Sequence, residues 1–269
     1  MIDFSKVKLV VSDMDGTLLN SKGEVSNRFF ELFKELQKRN ITFCAASGRQ
    51  HNSIVSKLDA IKDEIYVIAE NGGIAKKGDN ILLSNFLKPE KVLNLIPVLR
   101  ELKGTNIVLC CNDAAFIESK DARFIELFQE YYHSYQVVDD LMEMAKTTPV
   151  FKIAVYHFES SENFIYPFVK HLNEQVLLKV SGINWLDISD DKANKGDALR
   201  QVQQLLNVSK AETMVFGDYH NDIEMIQEAD FSFAMKNAHK DITALANYAT
   251  ESNDNFGVET ILEKLVASF

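Results

Sequence analysis

The sequence is poor in the residues that build linkers and basic surfaces. It has four prolines and 11 glycines among 269 residues, which leaves little room for disordered linkers or low-complexity segments. Its 29 lysines and arginines are outnumbered by 39 aspartates and glutamates, a formal net charge of −10. Because a non-specific nucleic-acid binder needs a basic face to neutralise phosphates, we expect no nucleic-acid partner. A small anionic substrate is compatible with this charge, since one pocket can be positive on an acidic protein.

Cysteines and long apolar runs are also scarce. The three cysteines, Cys44, Cys110 and Cys111, form neither a C-x-x-C spacing nor an even-numbered disulfide framework, which favours a reducing compartment. Residues 1–11 include Asp3 and two lysines and have no long apolar segment, so they do not resemble a signal peptide. No apolar run approaches the roughly 20 residues that span a bilayer. We therefore expect a cytoplasmic protein without a membrane partner.

The composition, 46% apolar and 25% charged, is that of a globular chain with a sizeable core. Near the beginning of the chain, short apolar runs that predict buried strands alternate with helical stretches. Short strand–helix–strand connections predict right-handed crossovers and a parallel sheet. The same rhythm returns after Asp190. The predicted strands are 7–11, 41–46, 65–69, 213–216 and 231–234, and the predicted helices are 25–39, about 50–60, 195–206, 221–227, 240–246 and 258–266.

The middle of the chain follows a different pattern. Turn signals at Gly72-Gly73 and at 77–80 predict a hairpin. From about residue 85, paired strands alternate with helices, which predicts an α+β insert with an antiparallel sheet. One of its helices is predicted over 162–173. We therefore predict an α/β protein whose parallel-sheet core, residues 1–84 and 189–269, is split by an insert of residues 85–188.

The segment Asp13-Met14-Asp15-Gly16-Thr17 follows the first predicted strand. In an open parallel sheet, ligands bind at the carboxyl ends of the strands. Two carboxylates one residue apart, with a glycine that permits a tight turn, can converge on one ligand. The alternative is an ordinary polar turn, which a lone Asp-x-Asp would favour and the full five-residue pattern disfavours.

A second acidic segment, Gly217–Asp222, follows the strand predicted at 213–216. Asp218 and Asp222 add carboxylates to the same edge of the sheet, and oxygen-rich clusters of this kind suit Mg²⁺ rather than Zn²⁺. The alternative role is a helix N-cap, because Asp and Asn favour that position.

Two further segments offer groups that could hold a phosphate. Ser47-Gly48-Arg49 follows the second strand, so the Ser47 hydroxyl and nearby main-chain N–H groups can bind an anion. Taken alone, Ser47 favours the N-cap role over phosphate binding. Lys195 stands at the start of a predicted helix, where the helix dipole disfavours a cation, and this favours an anion nearby. A solvated surface lysine is the alternative.

In this order, the segments Asp13–Thr17, Ser47, Lys195 and Gly217–Asp222 resemble the haloacid dehalogenase superfamily of phosphotransferases. The insert resembles the type IIB cap of that family, and Asn71-Gly72-Gly73 and residues 234–238 resemble its Cof-type branch. The resemblance implies a Rossmann-like core for the chemistry and an α+β cap for substrate specificity. We use "core" and "cap" below for the two sets of residues defined above.

The resemblance also implies a role for each matched residue. Asp13 would be the nucleophile that forms an aspartyl-phosphate, and Asp15 the general acid and then the base. Mg²⁺ would be held by Asp13, the main-chain carbonyl of Asp15 and Asp218, supported by Asp222. The phosphoryl oxygens would be bound by Ser47, Gly48, Lys195 and Asn221.

Three functions follow from this resemblance. A Mg²⁺-dependent phosphatase of small phosphorylated metabolites leads, with sugar phosphates as the first expectation. A phosphomutase would use the same two aspartates, and a non-catalytic phosphosugar sensor would leave the complete acidic set unexplained. Polar residues that could contact substrate hydroxyls are Asn112, Asp113 and His220. The sequence leaves the substrate open, and equally whether the protein is a monomer or a homo-oligomer.

Overall fold

The strands fall into two sheets, of eight and six strands. The protein was analysed as a computed structural model, which describes residues 3–112 and 114–269. In spatial order, the eight strands of the core sheet are Tyr248–Ala249, Phe231–Ala234, Thr213–Gly217, Leu9–Asp13, Thr42–Ala46, Tyr66–Ala69, Ile74–Lys77 and Asn80–Ser84. The six strands of the cap sheet are Leu177–Val180, Trp185–Ser189, Val150–His157, Thr105–Cys111, Ala115–Ile117 and Tyr135–Val137.

Helices connect these strands. The α-helices are Asn27–Lys38, His51–Lys57, Pro89–Arg100, Ala122–Phe128, Leu141–Thr147, Ser161–Phe164, Tyr166–Val169, Lys195–Leu206, Ile223–Ile226, Lys240–Leu245 and Gly257–Val266. Short 3₁₀ turns are formed by Asp59–Ile61, Glu70–Gly72, Lys170–Glu174, Lys210–Glu212, His220–Asp222 and Asn253–Asn255. None of the helices in the described part of the chain combines the length and apolar character needed to cross a membrane.

Six neighbouring strands of the core sheet run parallel, from Tyr248–Ala249 to Tyr66–Ala69. The last two strands form an antiparallel hairpin, as the turn signals predicted. Leu9–Asp13 lies in the middle of the sheet, and all five of its residues are buried. The predicted α/β fold class is confirmed, and its central strand carries the first acidic motif at its carboxyl end.

Packing on both faces explains why the core sheet forms. Successive residues of a strand point to opposite faces, so Val10 joins the apolar cluster of one face while Leu9 and Val11 join that of the other. The helix Asn27–Lys38 covers the first face and begins at Ser26, whose side chain accepts a hydrogen bond from the main-chain N–H of Phe29.

The cap sheet is mainly antiparallel, because only Ala115–Ile117 and Tyr135–Val137 pair in parallel. Its strand Val150–His157 is buried along its whole length, and that run includes one charged residue, Lys152. The predicted boundaries of the cap stay a prediction; the strand Trp185–Ser189 of the cap sheet extends to Ser189.

Several predicted elements differ from the structure. The helix predicted over 162–173 is wrong: Pro167 has no N–H to continue the hydrogen-bond ladder, and the segment forms two short helices and a 3₁₀ turn. The helix predicted over 221–227 is a 3₁₀ turn followed by Ile223–Ile226. Tyr135–Val137 and Leu141–Thr147 were not predicted. The helix Lys195–Leu206 is confirmed at both ends.

Candidate active site

The carboxyl ends of three parallel strands bring the predicted site residues together. Leu9–Asp13 lies between Thr42–Ala46 and Thr213–Gly217, so the segments that follow these strands meet at one edge of the sheet. A cavity of about 480 Å³ lies between this edge and the cap. The predicted residues that line it are Asp13, Asp15, Ser47, Gly48, Asp218 and Asn221.

Lys195 crosses from the first turn of its helix to two of the acidic segments. Its Nζ lies 2.6 Å from Asp13 Oδ1 and 2.7 Å from Asp222 Oδ1, and its side chain is fully buried. Burial disfavours the charged ammonium, but the carboxylates of Asp13 and Asp222 outweigh this effect and raise the pKa of Lys195. The lysine therefore carries its charge inside the protein, and the surface alternative is wrong.

Negative charge exceeds positive charge at this point. Carboxylate oxygens of Asp13, Asp218 and Asp222 lie within 4.8 Å of one another. These three carboxyl groups are accompanied by one ammonium group, that of Lys195. Burial raises the pKa of Asp13 to about 7, an effect that Lys195 opposes and Asp222 reinforces. Burial, reinforced by Asp13 and Asp222, also raises the pKa of Asp218. Asp13 and Asp218 therefore take up protons more readily than isolated carboxyl groups do.

The cluster fits a hard divalent cation. All its candidate ligands are oxygens, and a cation would offset the burial and the mutual repulsion that raise the pKa values of Asp13 and Asp218. The turn at Gly16, with φ +75°, leaves room for the Asp218 carboxylate, because a Cβ on Gly16 would lie 2.3 Å from Asp218 Oδ2. A side chain at this turn would therefore displace a candidate ligand.

Asp222 has a different position from the other two carboxylates. One of its oxygens accepts from Lys195, and the other accepts from the main-chain N–H groups of Asp218 at 2.9 Å and Tyr219 at 3.3 Å. Both oxygens are therefore engaged by the protein, and Asp222 orients the loop that carries Asp218. Thr17 Oγ1 donates to Asp218 Oδ1 at 3.2 Å and fixes the same carboxylate from the other side.

Ser47 lies at the cavity without capping a helix. The following helix, His51–Lys57, has Gln50 at its N-cap position, and the Ser47 hydroxyl accepts from the main-chain N–H of Arg49 at 3.1 Å. The main-chain carbonyl of Gly48 accepts from the ammonium of Lys152, a cap residue, at 2.6 Å. The proposed phosphate-binding loop is thus held partly by the cap.

Arg49 is a site residue to which the sequence analysis gave no role. Its Nε and Nη2 donate to the two carboxylate oxygens of Asp15 at 2.8 and 2.6 Å. Its Nη1 donates to the main-chain carbonyl of Glu130 in the cap at 2.6 Å, and its guanidinium lies over the ring of Tyr131 at 4.6 Å. Arg49 therefore orients Asp15 and joins it to the cap. The basic residue two positions after Ser47 was the only sequence signal for this role.

A buried polar network joins the cap to the opposite side of the site. Asn221 Nδ2 donates to Asn71 Oδ1 at 3.0 Å, and Asn71 Nδ2 donates to the carboxylate of Asp187 on a cap strand. Lys152 Nζ lies 3.0 Å from Asp187 Oδ2 and 3.2 Å from Glu70 Oε2. The predicted phosphate ligand Asn221 is therefore oriented through Asn71 by a cap carboxylate.

The core part of this network has an unusual backbone conformation. Glu70 and Asn71 adopt φ values of +52° and +53°, in the left-handed region that non-glycine residues rarely occupy. Strained residues of this kind persist where surrounding structure holds them, and they cluster at functional sites. Here the conformation directs both side chains toward the cap residue Asp187 and its partner Lys152.

The predicted hydroxyl-contacting residues lie elsewhere. Asn112 is exposed and lines a separate cavity of about 30 Å³. His220 Nε2 lies 3.1 Å from Asp241 Oδ2, and His220 is not among the residues that line the large cavity. Asp113 lies outside the described residues. Their assignment to substrate stays a prediction, and other cap residues line the cavity that Asp13 also lines.

Comparison with protein families gives one match along most of the chain. A family model described as haloacid dehalogenase-like hydrolase matches residues 10–262. The 5-amino-6-(5-phospho-D-ribitylamino)uracil phosphatase YbjI of Escherichia coli strain K12 is 30% identical over 266 residues, covering 97% of this chain and 96% of that protein. Phosphatase YwpJ of Bacillus subtilis strain 168 is 25% identical over 289 residues, covering 97% of this chain and 100% of its own length.

Solved structures share the fold of both core and cap. SMU.1108c from Streptococcus mutans UA159 superposes with a TM-score of 0.90 at 27% identity, over 97% of this chain and 99% of that one. The subclass IIB sugar phosphatase BT4131 superposes with a TM-score of 0.85 at 19% identity, over 98% and 100% of the two chains. The second likeness shows the fold alone.

The free energy of unfolding of the wild type should fall with rising pH relative to that of the Glu70→Gln variant. Burial raises the pKa of Glu70 from 4.5 to about 7, while Lys152 opposes the shift and Asp187 adds to it. The folded state then binds more protons than the unfolded state between about pH 4.5 and 7, so this group's contribution to stability falls as pH rises through that window. Across this window, the contribution of Glu70 to the free energy of unfolding falls by about 3 kcal/mol.

Urea unfolding of both proteins at a series of pH values from about 4.5 to 7.5 measures this effect. The free energy of unfolding of the wild type should fall, relative to that of Glu70→Gln, as pH rises. The other titrating groups are common to the two proteins, so the difference reports on Glu70 together with the groups that contact it, such as Lys152. Parallel pH profiles would show that Glu70 titrates at the same pH in the folded and unfolded states.

Proposed function

Because this chain belongs to the haloacid dehalogenase-like hydrolases and is a phosphatase, we propose that it cleaves small phosphate monoesters through an aspartyl-phosphate on Asp13. The family and the enzyme class expected from the motifs are confirmed. The observation that carries the finer proposal is the buried Asp13–Lys195–Asp222 group, whose Asp13 lines the large cavity together with the neighbouring Asp218.

Lys195 positions Asp13 as a nucleophile. Lys195 holds Oδ1 at 2.6 Å, which leaves Oδ2 for attack on phosphorus. The attack would form an O–P bond on Asp13 and break the P–O bond to the leaving alcohol. Water would then release inorganic phosphate and regenerate the carboxylate. The ammonium of Lys195 would offset the repulsion between an anionic nucleophile and an anionic phosphate.

Asp15 is the carboxyl group best placed to exchange protons with the leaving group and with water. It lines the cavity and its side chain is 44% exposed, in contrast to the buried Asp13. The two hydrogen bonds from Arg49 fix its orientation. Asp15 would protonate the leaving alcohol and then accept a proton from the attacking water.

Mg²⁺ fits the acidic cluster as an essential ion. Asp13, Asp218 and the main-chain carbonyl of Asp15 would hold it, while Asp222 orients the Asp218 loop. The ion would supply charge neutralisation for phosphoryl transfer when bound. Ser47, Gly48, Lys195 and Asn221 would bind the phosphoryl oxygens through hydroxyl, N–H and ammonium donors.

The cap limits the size of the substrate. The cavity of about 480 Å³ is within the range that holds a small metabolite, and the cap covers the approach to Asp13. Small phosphorylated metabolites, sugar phosphates among them, therefore suit the site better than phosphoproteins. The three cysteines are buried, which agrees with a reducing, cytoplasmic location.

Asp13→Asn should abolish turnover, because a neutral amide is a poor nucleophile and a poor ligand for Mg²⁺. We expect kcat to fall by at least about 10³-fold. Phosphate release from an aryl phosphate, measured with Mg²⁺ and with a chelator, tests this. Asp59→Asn, a change at an exposed carboxylate that pairs with Lys62 on the surface, is the matched control and should retain activity. Metal-dependent turnover near the wild-type rate in Asp13→Asn would refute the assignment.

The loss of rate caused by Asp15→Asn should depend on the leaving group. An aryl leaving group needs little protonation, so its phosphorylation step should suffer less than that of an alkyl phosphate. Single-turnover assays that follow alcohol release separate this step from the later hydrolysis. Equal losses for aryl and alkyl phosphates would contradict the role of Asp15 as general acid.

A further inference from the structure

The cap wall of the large cavity contains a group of aromatic residues beside its polar and charged ones. Tyr131, Tyr156 and Trp185 line the same cavity as Asp13, although they come from three separate segments of the cap. Their rings form one group: Trp185 lies 4.8 Å from Tyr156 and 5.7 Å from Tyr131 between ring centroids. The rings of the cap and the acidic residues of the core therefore line one cavity.

Two exposed apolar residues extend this wall toward solvent. Ile183 is 68% exposed and Leu127 is 43% exposed, and both line the cavity. Single exposed apolar residues are common on proteins, but apolar side chains that converge on one polar cavity mark a ligand surface. The cavity therefore has apolar lining residues as well as the acidic ones.

The loop that carries Ile183 is held in place. The Ser161 main-chain N–H donates to the carbonyl of Ile183 at 2.8 Å, and the Ser161 hydroxyl donates to the carbonyl of Gly182 at 3.1 Å. Ser161 is buried on a neighbouring cap helix. Because the loop is anchored in this way, the apolar surface exists before a ligand binds, which lowers the entropic cost of binding.

We propose that this wall is a ring-binding subsite, and that the preferred substrates are phosphate esters of alcohols that carry a planar aromatic or heteroaromatic ring. A ring stacked on Trp185 would bury apolar surface that a hexose leaves wet. The Asp13–Lys195 group would meanwhile hold the phosphate at the other end of the cavity. This inference rests on the proposed phosphatase function and specifies the leaving group.

Substrate pairs that differ only in the ring test the proposal. Flavin mononucleotide is compared with ribitol 5-phosphate, and uridine monophosphate with ribose 5-phosphate. Both members of each pair release a primary alcohol, so leaving-group chemistry is matched. In at least one pair the ring-bearing member should have a kcat/KM at least about tenfold higher, the scale of aromatic stacking. Ratios near one in both pairs would overturn the subsite.

Variants then assign the effect to the wall. Trp185→Leu should lower the ring-to-no-ring ratio of kcat/KM about tenfold, because stacking is lost while an apolar side chain remains. Ile183→Ser alters an exposed rim residue and should lower the same ratio, so the test remains valid if Trp185→Leu does not fold. Phe168→Leu, at a 60% exposed cap aromatic outside the cavity wall, should leave the ratio unchanged. An unchanged ratio in both wall variants would refute the assignment.

Binding can be followed without turnover, because Trp185 is the only tryptophan in the chain. In the Asp13→Asn protein, uridine monophosphate should quench tryptophan fluorescence, and ribose 5-phosphate should not. Equal responses to the two ligands would overturn the subsite. If the wild type hydrolyses no member of either pair or the aryl phosphate, the proposed function fails, while the fluorescence titration still decides whether a ring binds at the wall.

Discussion

The structure of the site depends on a fully buried lysine held between two carboxylates. Lys195 can remain charged in the interior only because Asp13 and Asp222 compensate the loss of water around its ammonium. This requires its helix to begin very close to the Asp218–Asp222 loop and the segment after it. Gly196 makes that approach feasible, since a Cβ there would lie 2.6 Å from the main-chain carbonyl oxygen of Glu224.

The same ion group connects the chemistry to the fold. Asp13 is the last residue of the central strand, and Asp222 anchors the loop after the neighbouring strand. A buried ion pair is poor evidence for stability, because desolvation offsets much of its Coulomb energy. Its importance here is geometric: it sets the carboxylate of Asp13 in one orientation and leaves the remaining negative charge of Asp218 for a cation.

The cap contributes to the phosphate-binding side as well as to the leaving-group side. Lys152 and Asp187, from two adjacent cap strands, reach Gly48, Glu70 and Asn71 in the core. The cap also holds Arg49 through the carbonyl of Glu130. Docking of the cap and organisation of the site are therefore coupled. Caps and lids of this kind exclude water from a catalytic site and complete it.

The sequence by itself determined the class of fold, the place of the acidic motifs at strand ends, and the family. These follow from local patterns: apolar runs of strand length, helical periodicity and short polar motifs at strand ends. It did not determine the roles of Arg49, Glu70 and Lys152, although a lysine inside the apolar run 150–157 was a visible signal. Their partners lie far away in the chain, so only tertiary packing decided which charges meet. Tertiary packing also decided which cap residues line the same cavity as Asp13, Tyr156 and Trp185 among them. The physical reason is that burial and pairing, which set the charge state and orientation of a side chain, arise only when distant segments exclude water together.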